Sequence, residues 1–393
     1  MTAEVKRPRR RARSAGASRA PTAARPARSI RDLDPRWALE RPTEALALGL
    51  HSLRTGLFMA ESLPLFWLQR AAGQARPAIR PPAGAIETLA ARLRALLEQD
   101  AAEIGRGTMP LSVLAPIDPV GHGARLLRIL GDSARVARRK RRHDARDFGA
   151  EARGWLSELP GYYRRNFHYQ TDGYLSERSA DLYEHQVELL FRGGADAMRR
   201  LVLAPMKAHL GETRGRGLRL LELGSGTGGA TRSVARAFPE ARITCIDLSP
   251  PYTRFAREQL RGFRRVECLQ GDAADLDFAD RRFDAVYSVF LFHELPLPVR
   301  ELALEEALRV LKPGGFFGLV DSLQRGDVPE LDWALDVFPR EFHEPYYAHY
   351  AANPMEGLLA DAGFEAIESS TGYLAKCIAA RAPTTAGTDQ SGR

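Results

Sequence analysis

The chain has 393 residues, 44% hydrophobic and 27% charged, enough for two ordinary domains or one domain with a long extension, and apolar enough to bury a core. No run approaches the ~18 apolar residues of a membrane-spanning helix; the best, Ala45 to Leu53, ends before Arg54. Cys245, Cys268 and Cys377 lie far apart without a CxxC pair, which excludes a disulfide framework and points to a reducing, cytoplasmic compartment.

The formal net charge of +8 belongs to one end of the chain. Residues 1–31 hold ten Lys/Arg against Glu4 alone, a net +9, which leaves −1 for residues 32–393. This Ala/Arg/Ser/Pro-rich tail is expected to be disordered, because it has too little apolar area to offset the entropy of ordering. It lacks the apolar stretch of a secretory signal, and its composition also fits an organelle transit peptide. It reads as a solubilising arm, or as an attachment to acidic lipid or nucleic acid.

Residues 32–155 read as a mostly helical region with pauses at Pro81-Pro82, Pro110 and Pro116 to Pro119. After Pro82, Ile86, Leu89, Leu93, Leu97 and Ile104 recur at helical spacing, an amphipathic stripe expected to face a core. Leu46–Leu68 is more apolar, with Leu57, Phe58, Met59, Leu63, Phe66 and Trp67 interrupted by Glu61 and Pro64. It reads either as a face packed on the rest of the protein or as an interfacial or partner-binding surface. A second basic cluster, Arg135 with Arg138 to Arg142, reads as a solvated helix end or linker; it has no interleaved aromatics for base stacking. Residues 156–214 form an aromatic cap and a linking helix. Tyr183, Val187, Leu190 and Phe191 have the spacing of a core-facing helix.

From residue 215 to 381 short apolar runs alternate with helix-like segments, the pattern of an α/β domain built on a mostly parallel sheet. Strands are predicted near Leu218–Leu223, Ala241–Asp247, Val266–Gln270, Phe283–Phe290, Phe316–Val320, Phe364–Ser369 and Gly372–Ala379, and residues 382–393 as a disordered tail.

The strongest chemical signal runs from Leu220 through Glu222, Gly224, Ser225, Gly226 and Gly228 to Gly229, a strand entering a glycine turn and then a helix. Alone it is ambiguous, since it satisfies both GxGxxG and GxGxG. Glu222, two residues before the first glycine, can orient the loop or face an ammonium group, and a pyrophosphate would gain nothing from it. Asp247 ends the second strand, where a carboxylate can accept from both hydroxyls of an unmodified ribose. Gly271-Asp272-Ala273 closes the third, where Asp272 can accept from an adenine amino group.

The ordered series Glu-x-Gly-x-Gly-x-Gly, Asp247, Gly271-Asp272-Ala273, Phe283-Asp284 and Leu311 to Gly315 resembles the class I S-adenosylmethionine-dependent methyltransferases, in particular the branch of the ubiquinone/menaquinone biosynthesis enzymes. The resemblance covers about residues 215–381. It implies a Rossmann-like seven-stranded sheet, parallel except for one antiparallel strand near the edge, with helices on both faces. It implies S-adenosyl-L-methionine as cofactor, with Gly224, Gly226 and Gly228 along the methionine moiety, Asp247 on the ribose, Asp272 and Ala273 on the adenine, and Leu248 against its face.

Such a site mainly aligns a nucleophile with an activated methyl and excludes water. His293, directly after the fourth strand, is the candidate base, expected to titrate near neutral pH; the alternative is that it only shapes the pocket. Tyr163 and Tyr347 represent two aromatic clusters (Tyr162 to Tyr174 and Phe342 to Tyr350) expected to close over the acceptor. No metal ligation is expected, because neither His293-Glu294 nor His343-Glu344 extends to HExxH. The leading reading is methylation of a small, lipophilic acceptor, with association at a membrane surface. The alternatives are a non-catalytic scaffold acting through its N-terminal helices and a nucleic-acid methyltransferase. Against the last, Phe292-His293-Glu294-Leu295 stands where Asn/Asp-Pro-Pro-Tyr/Phe would be expected.

Overall fold

A computed structural model of the chain describes residues 35–71, 79–115, 118, 120–211 and 213–384. The basic tail of residues 1–31 lies outside the described residues, as do residues 385–393 of the predicted C-terminal tail. Among the described residues, β1 (Arg219–Leu223), β2 (Arg242–Asp247), β3 (Val266–Gln270), β4 (Phe283–Val289), β5 (Leu311–Ser322), β6 (Glu365–Gly372) and β7 (Ala375–Arg381) form one sheet of order β3-β2-β1-β4-β5-β7-β6. β7 runs antiparallel to both β5 and β6, and the other pairings are parallel. This is the Rossmann-like arrangement that the strand pattern and the resemblance imply. β1 and β4 are buried on both faces, hence their largely apolar sequences, which Glu222 interrupts in β1 and Asp284 and Ser288 interrupt in β4.

Helices precede the sheet: α1 (Pro35–Glu40), α2 (Pro42–Ala71), α3 (Ala85–Gly105), α4 (His122–Arg142), α5 (Ala150–Trp155), α6 (Glu177–Leu190), α7 (Ala195–Arg199) and α8 (Leu203–Leu210). α9 (Gly229–Ala237), α10 (Pro250–Leu260) and α11 (Leu297–Val310) connect the strands, and α12 (Asp332–Glu341), α13 (Tyr347–Ala352) and α14 (Met355–Ala362) lie between β5 and β6. One face of the sheet packs Leu220, Tyr287 and Val320 against Leu93, Leu97 and Ile104 of α3 and Val234 of α9. The opposite face packs Leu221, Val286 and Leu319 against Leu304 of α11 and Leu359 of α14.

Two sequence expectations are corrected. Ile86 is 64% exposed, whereas the α3 stripe packs inward from Leu89 and is buried from Leu93. Within the basic cluster, Arg139 is buried and donates from Nε to the Tyr169 carbonyl at 3.0 Å, tying α4 to the aromatic cap.

Candidate active site

The sheet order reverses at β1, and the C-terminal ends of β1, β2, β3 and β4 open there onto one crevice. In open α/β sheets ligands bind at such a switch point, outside the carboxyl ends of the strands. The crevice encloses about 940 Å³, its open mouth included. It is lined by Glu222, Gly224, Ser225 and Gly226 from the glycine turn, by Asp247 and Leu248 after β2, and by Asp272 and Ala273 after β3. Gly228 stands apart. It caps α9 at φ 85°, where a Cβ would meet Leu260 Cδ1 at 2.7 Å, so it serves the turn rather than the wall.

Ser249 begins α10, its hydroxyl accepting from Tyr252 N, and Pro250 and Pro251 fill positions that need no N–H partner. That turn holds Asp247 rigidly. One carboxylate oxygen accepts from Gly226 N at 2.8 Å and the other from Ser249 N at 2.8 Å, which leaves lone pairs on both. Burial pushes the Asp247 pKa up to about 6, against the pull of those two backbone donors and with a further push from Glu294. Glu222, also buried, accepts from Thr231 and from Tyr287 Oη (2.9 Å), and burial raises it to about 7. At Gly226, φ is 55° and a Cβ would meet nothing within 4 Å, so the turn presents bare backbone to the crevice.

The lining is acidic. Glu184, Glu222, Asp247, Asp272 and Glu294 face Arg199, whose guanidinium is already paired with Glu184 and with Asp196 at 2.9 Å. Such a field suits a cationic sulfonium nucleoside and opposes a pyrophosphate. The rigid diol-sized carboxylate, the bare turn and the negative lining therefore fit S-adenosylmethionine.

A second cavity of about 720 Å³, its open mouth included, adjoins the first through Tyr183, Phe290 and Glu294, which line both. It is walled mainly by apolar side chains, among them Val187, Leu190, Phe191, Leu335 and Phe338. Tyr183, Val187, Leu190 and Phe191 face inward as their spacing predicts: Tyr183 and Phe191 pack on core clusters, and all four also line this cavity. The candidates divide between the two spaces: Tyr163 lines the crevice, whereas His293 and Tyr347 line the second cavity. Tyr162 and Tyr174 also line the crevice. Tyr347 Oη stands 2.6 Å from Ser322 Oγ.

His293 has a partner that sequence reasoning missed. Its Nδ1 lies 2.6 Å from Asp321 Oδ1 near the end of β5, and its backbone N donates to Asp321 Oδ2 at 3.2 Å. Burial disfavours the imidazolium, yet Asp321, with Glu294 and Glu344, outweighs it and raises the pKa to about 9. That corrects the near-neutral titration expected from the sequence. No local signal could have revealed the pairing, because Asp321 reads in sequence as an ordinary strand-end acid.

Residues 220–315 match the family described as a methyltransferase domain. The chain is 41% identical over 123 residues to a fatty-acid O-methyltransferase of Mycolicibacterium smegmatis, covering 31% of this chain and 44% of that one. It is 42% identical over 99 residues to a demethylmenaquinone methyltransferase of Clavibacter sepedonicus, covering 25% and 39%. A malonyl-[acyl-carrier protein] O-methyltransferase of Geobacter sulfurreducens is 34% identical over 155 residues, covering 38% and 57%. The chain thus spans about half the length of the curated relatives it matches. Motif order, sheet topology and relatives agree, and the chain carries a class I S-adenosylmethionine-dependent methyltransferase domain.

Proposed function

We propose that the protein transfers a methyl group from S-adenosylmethionine to a small lipophilic acceptor. The observation that carries this is the junction of an acidic crevice with an apolar cavity through the shared residues Tyr183, Phe290 and Glu294. S-adenosylmethionine supplies a methyl already activated on a sulfonium, so the chain's work is binding, alignment and water exclusion. Asp247 holds the ribose diol, Asp272 and Ala273 take the adenine edge, Leu248 packs on its face, and Glu222 with the Gly224 to Gly226 backbone fixes the methionine end. Tyr163 flanks the crevice. Because Asp321 only accepts, the His293 ring keeps its proton on Nδ1 and directs Nε2 away from that pair, to hydrogen-bond the polar head of the acceptor. Tyr347, ordered by Ser322, walls the same cavity. The name of the Mycolicibacterium relative, a fatty-acid O-methyltransferase, supports an acceptor with an apolar body.

The exposed apolar face of α2, with Leu53, Leu63, Phe66 and Trp67 each more than half exposed, supports collection of that acceptor at a membrane surface. No described helix is long and apolar enough to cross a membrane.

The test is calorimetric titration with S-adenosylmethionine and with NAD, followed by label transfer from methyl-labelled cofactor into a lipid extract. Micromolar binding of the sulfonium nucleoside and a labelled apolar product are expected. In His293→Ala, binding is retained and product is lost. Binding of NAD alone overturns the cofactor assignment, and cofactor binding without turnover on any extract favours a scaffold.

A further inference from the structure

Among the described residues, His168, Glu294 and Glu344 bring one imidazole nitrogen and two carboxylate oxygens within 4.8 Å of one another. The three come from separate parts of the fold. His168 sits in a short turn of the aromatic cap, Glu294 in the turn after β4, and Glu344 in the link between α12 and α13. His168 Nε2 is 3.3 Å from Glu344 Oε1 and 3.8 Å from Glu294 Oε1.

Glu344 is 3% exposed, and no described residue donates a hydrogen bond to either of its carboxylate oxygens. A buried carboxylate without donors is costly, because desolvation removes water that nothing replaces. Glu294 stands beside it and accepts from Tyr174 Oη at 2.6 Å. Two imidazoles approach the pair, His168 and, with Nε2 3.9 Å from Glu294 Oε1, His293, yet neither ring completes a hydrogen bond to Glu344. Imidazole with carboxylates is the donor set of first-row divalent cations, whereas an all-oxygen set suits calcium or magnesium.

The other His/Glu cluster lacks this deficit. Both oxygens of Glu61 are engaged, one by His122 Nε2 at 2.6 Å and the other by His185 Nε2 at 3.0 Å. It is complete as a hydrogen-bonded triad.

We propose that His168, Glu294 and Glu344 bind a divalent first-row transition-metal cation where the crevice meets the apolar cavity. The expectation of no metal rested on the absence of HExxH, a spacing that detects ligands from a single helix; these ligands come from three segments. Glu294 lines both spaces and His168 lines the second, so the cation lies where an oxygen-bearing acceptor head would reach it. Cation binding itself does not depend on the methyl-transfer reading, and its test uses neither cofactor nor acceptor.

The experiment titrates chelator-treated full-length protein with Mn²⁺ and follows the loss of the free-ion electron paramagnetic resonance signal. One tightly held Mn²⁺ per chain is expected, weakened about tenfold or more in Glu344→Gln. Circular dichroism of that variant checks that it is folded. Independently of any variant, spin-echo modulation of bound Mn²⁺ shows coupling to an imidazole nitrogen, and His168→Asn abolishes it. Absence of binding overturns the proposal, as does undiminished binding in a folded Glu344→Gln. Binding lost in Glu61→Gln but retained in Glu344→Gln places the ion at the other cluster and also overturns it.

Discussion

Asp247 makes two backbone hydrogen bonds and still has lone pairs to give, so on the proposed ribose role it would set both the strength and the pH dependence of nucleoside binding. Two ribose hydroxyls donating to a carboxylate contribute about 1.5–3 kcal/mol each, so Asp247→Ala weakens S-adenosylmethionine by on the order of a hundredfold or more. In the free protein burial holds this acid near a pKa of 6. The donors of a bound diol favour the anion and lower that value, so binding expels a proton wherever the free acid is protonated. Affinity is therefore full above about pH 6 and falls by up to about tenfold per pH unit below it. Calorimetry in buffers of different ionisation enthalpy checks the sign. Near pH 6 about half a proton is released on binding, whereas a flat affinity between pH 5 and 8 removes Asp247 from the ribose site.

Elements were legible wherever their reasons are local. The predicted bounds match those of β3 and come within one residue of those of β1, β2 and β4, because each strand is a short, largely apolar segment that ends at a turn or a glycine; β1, β2 and β4 are buried along nearly their whole length, whereas β3, at the sheet edge, buries Cys268. The glycine turn and the acids Asp247 and Asp272 each stand at or just after the end of a strand, so these parts of the crevice wall are legible in the sequence, whereas Glu184, Arg199 and Tyr252, brought in by packing, are not. Neither are Asp321, His168 and Glu344, because what gathers them is tertiary packing. Nor is the docking of α3. Asp100, buried mid-helix, accepts from Arg200 Nε and Nη2 at 2.9 and 2.8 Å and lies 2.8 Å from His51 Nε2 of α2. Burial opposes its ionisation, but Arg200 and His51 prevail and hold its pKa below the ordinary carboxylate value. This contribution is present at neutral pH and is lost as pH falls through the carboxylate range. Truncating one partner of a buried pair leaves the other uncompensated, so Asp100→Ala costs about 3–5 kcal/mol. Urea denaturation reads it as a lowered midpoint; an unchanged midpoint shows that the triad does not hold α2 and α3 to the domain.

At the scale of the whole molecule, α2 faces two ways. Ala47, His51, Phe58 and Glu61 are buried against the helices beneath, whereas Leu53, Leu63, Phe66 and Trp67 are exposed. Scattered apolar side chains on a surface need no explanation, but several on one face of one helix form a patch that water solvates poorly. An amphipathic helix of this kind lies in the plane of a lipid interface with its apolar face in the acyl boundary. The net charge of +9 in residues 1–31 adds attraction to anionic lipid, worth about 1 kcal/mol per basic group near the surface. The protein is therefore expected to sediment with vesicles containing anionic lipid, and less so with neutral vesicles or as salt rises. Leu63→Glu with Trp67→Glu changes side chains that are 61% and 65% exposed and line neither the crevice nor the adjoining cavity. This double variant keeps the parent's thermal midpoint and S-adenosylmethionine affinity while its vesicle-bound fraction drops several-fold. Equal sedimentation of parent and variant shows that the exposed face of α2 does not meet the bilayer, and leaves the acceptor to arrive from solution.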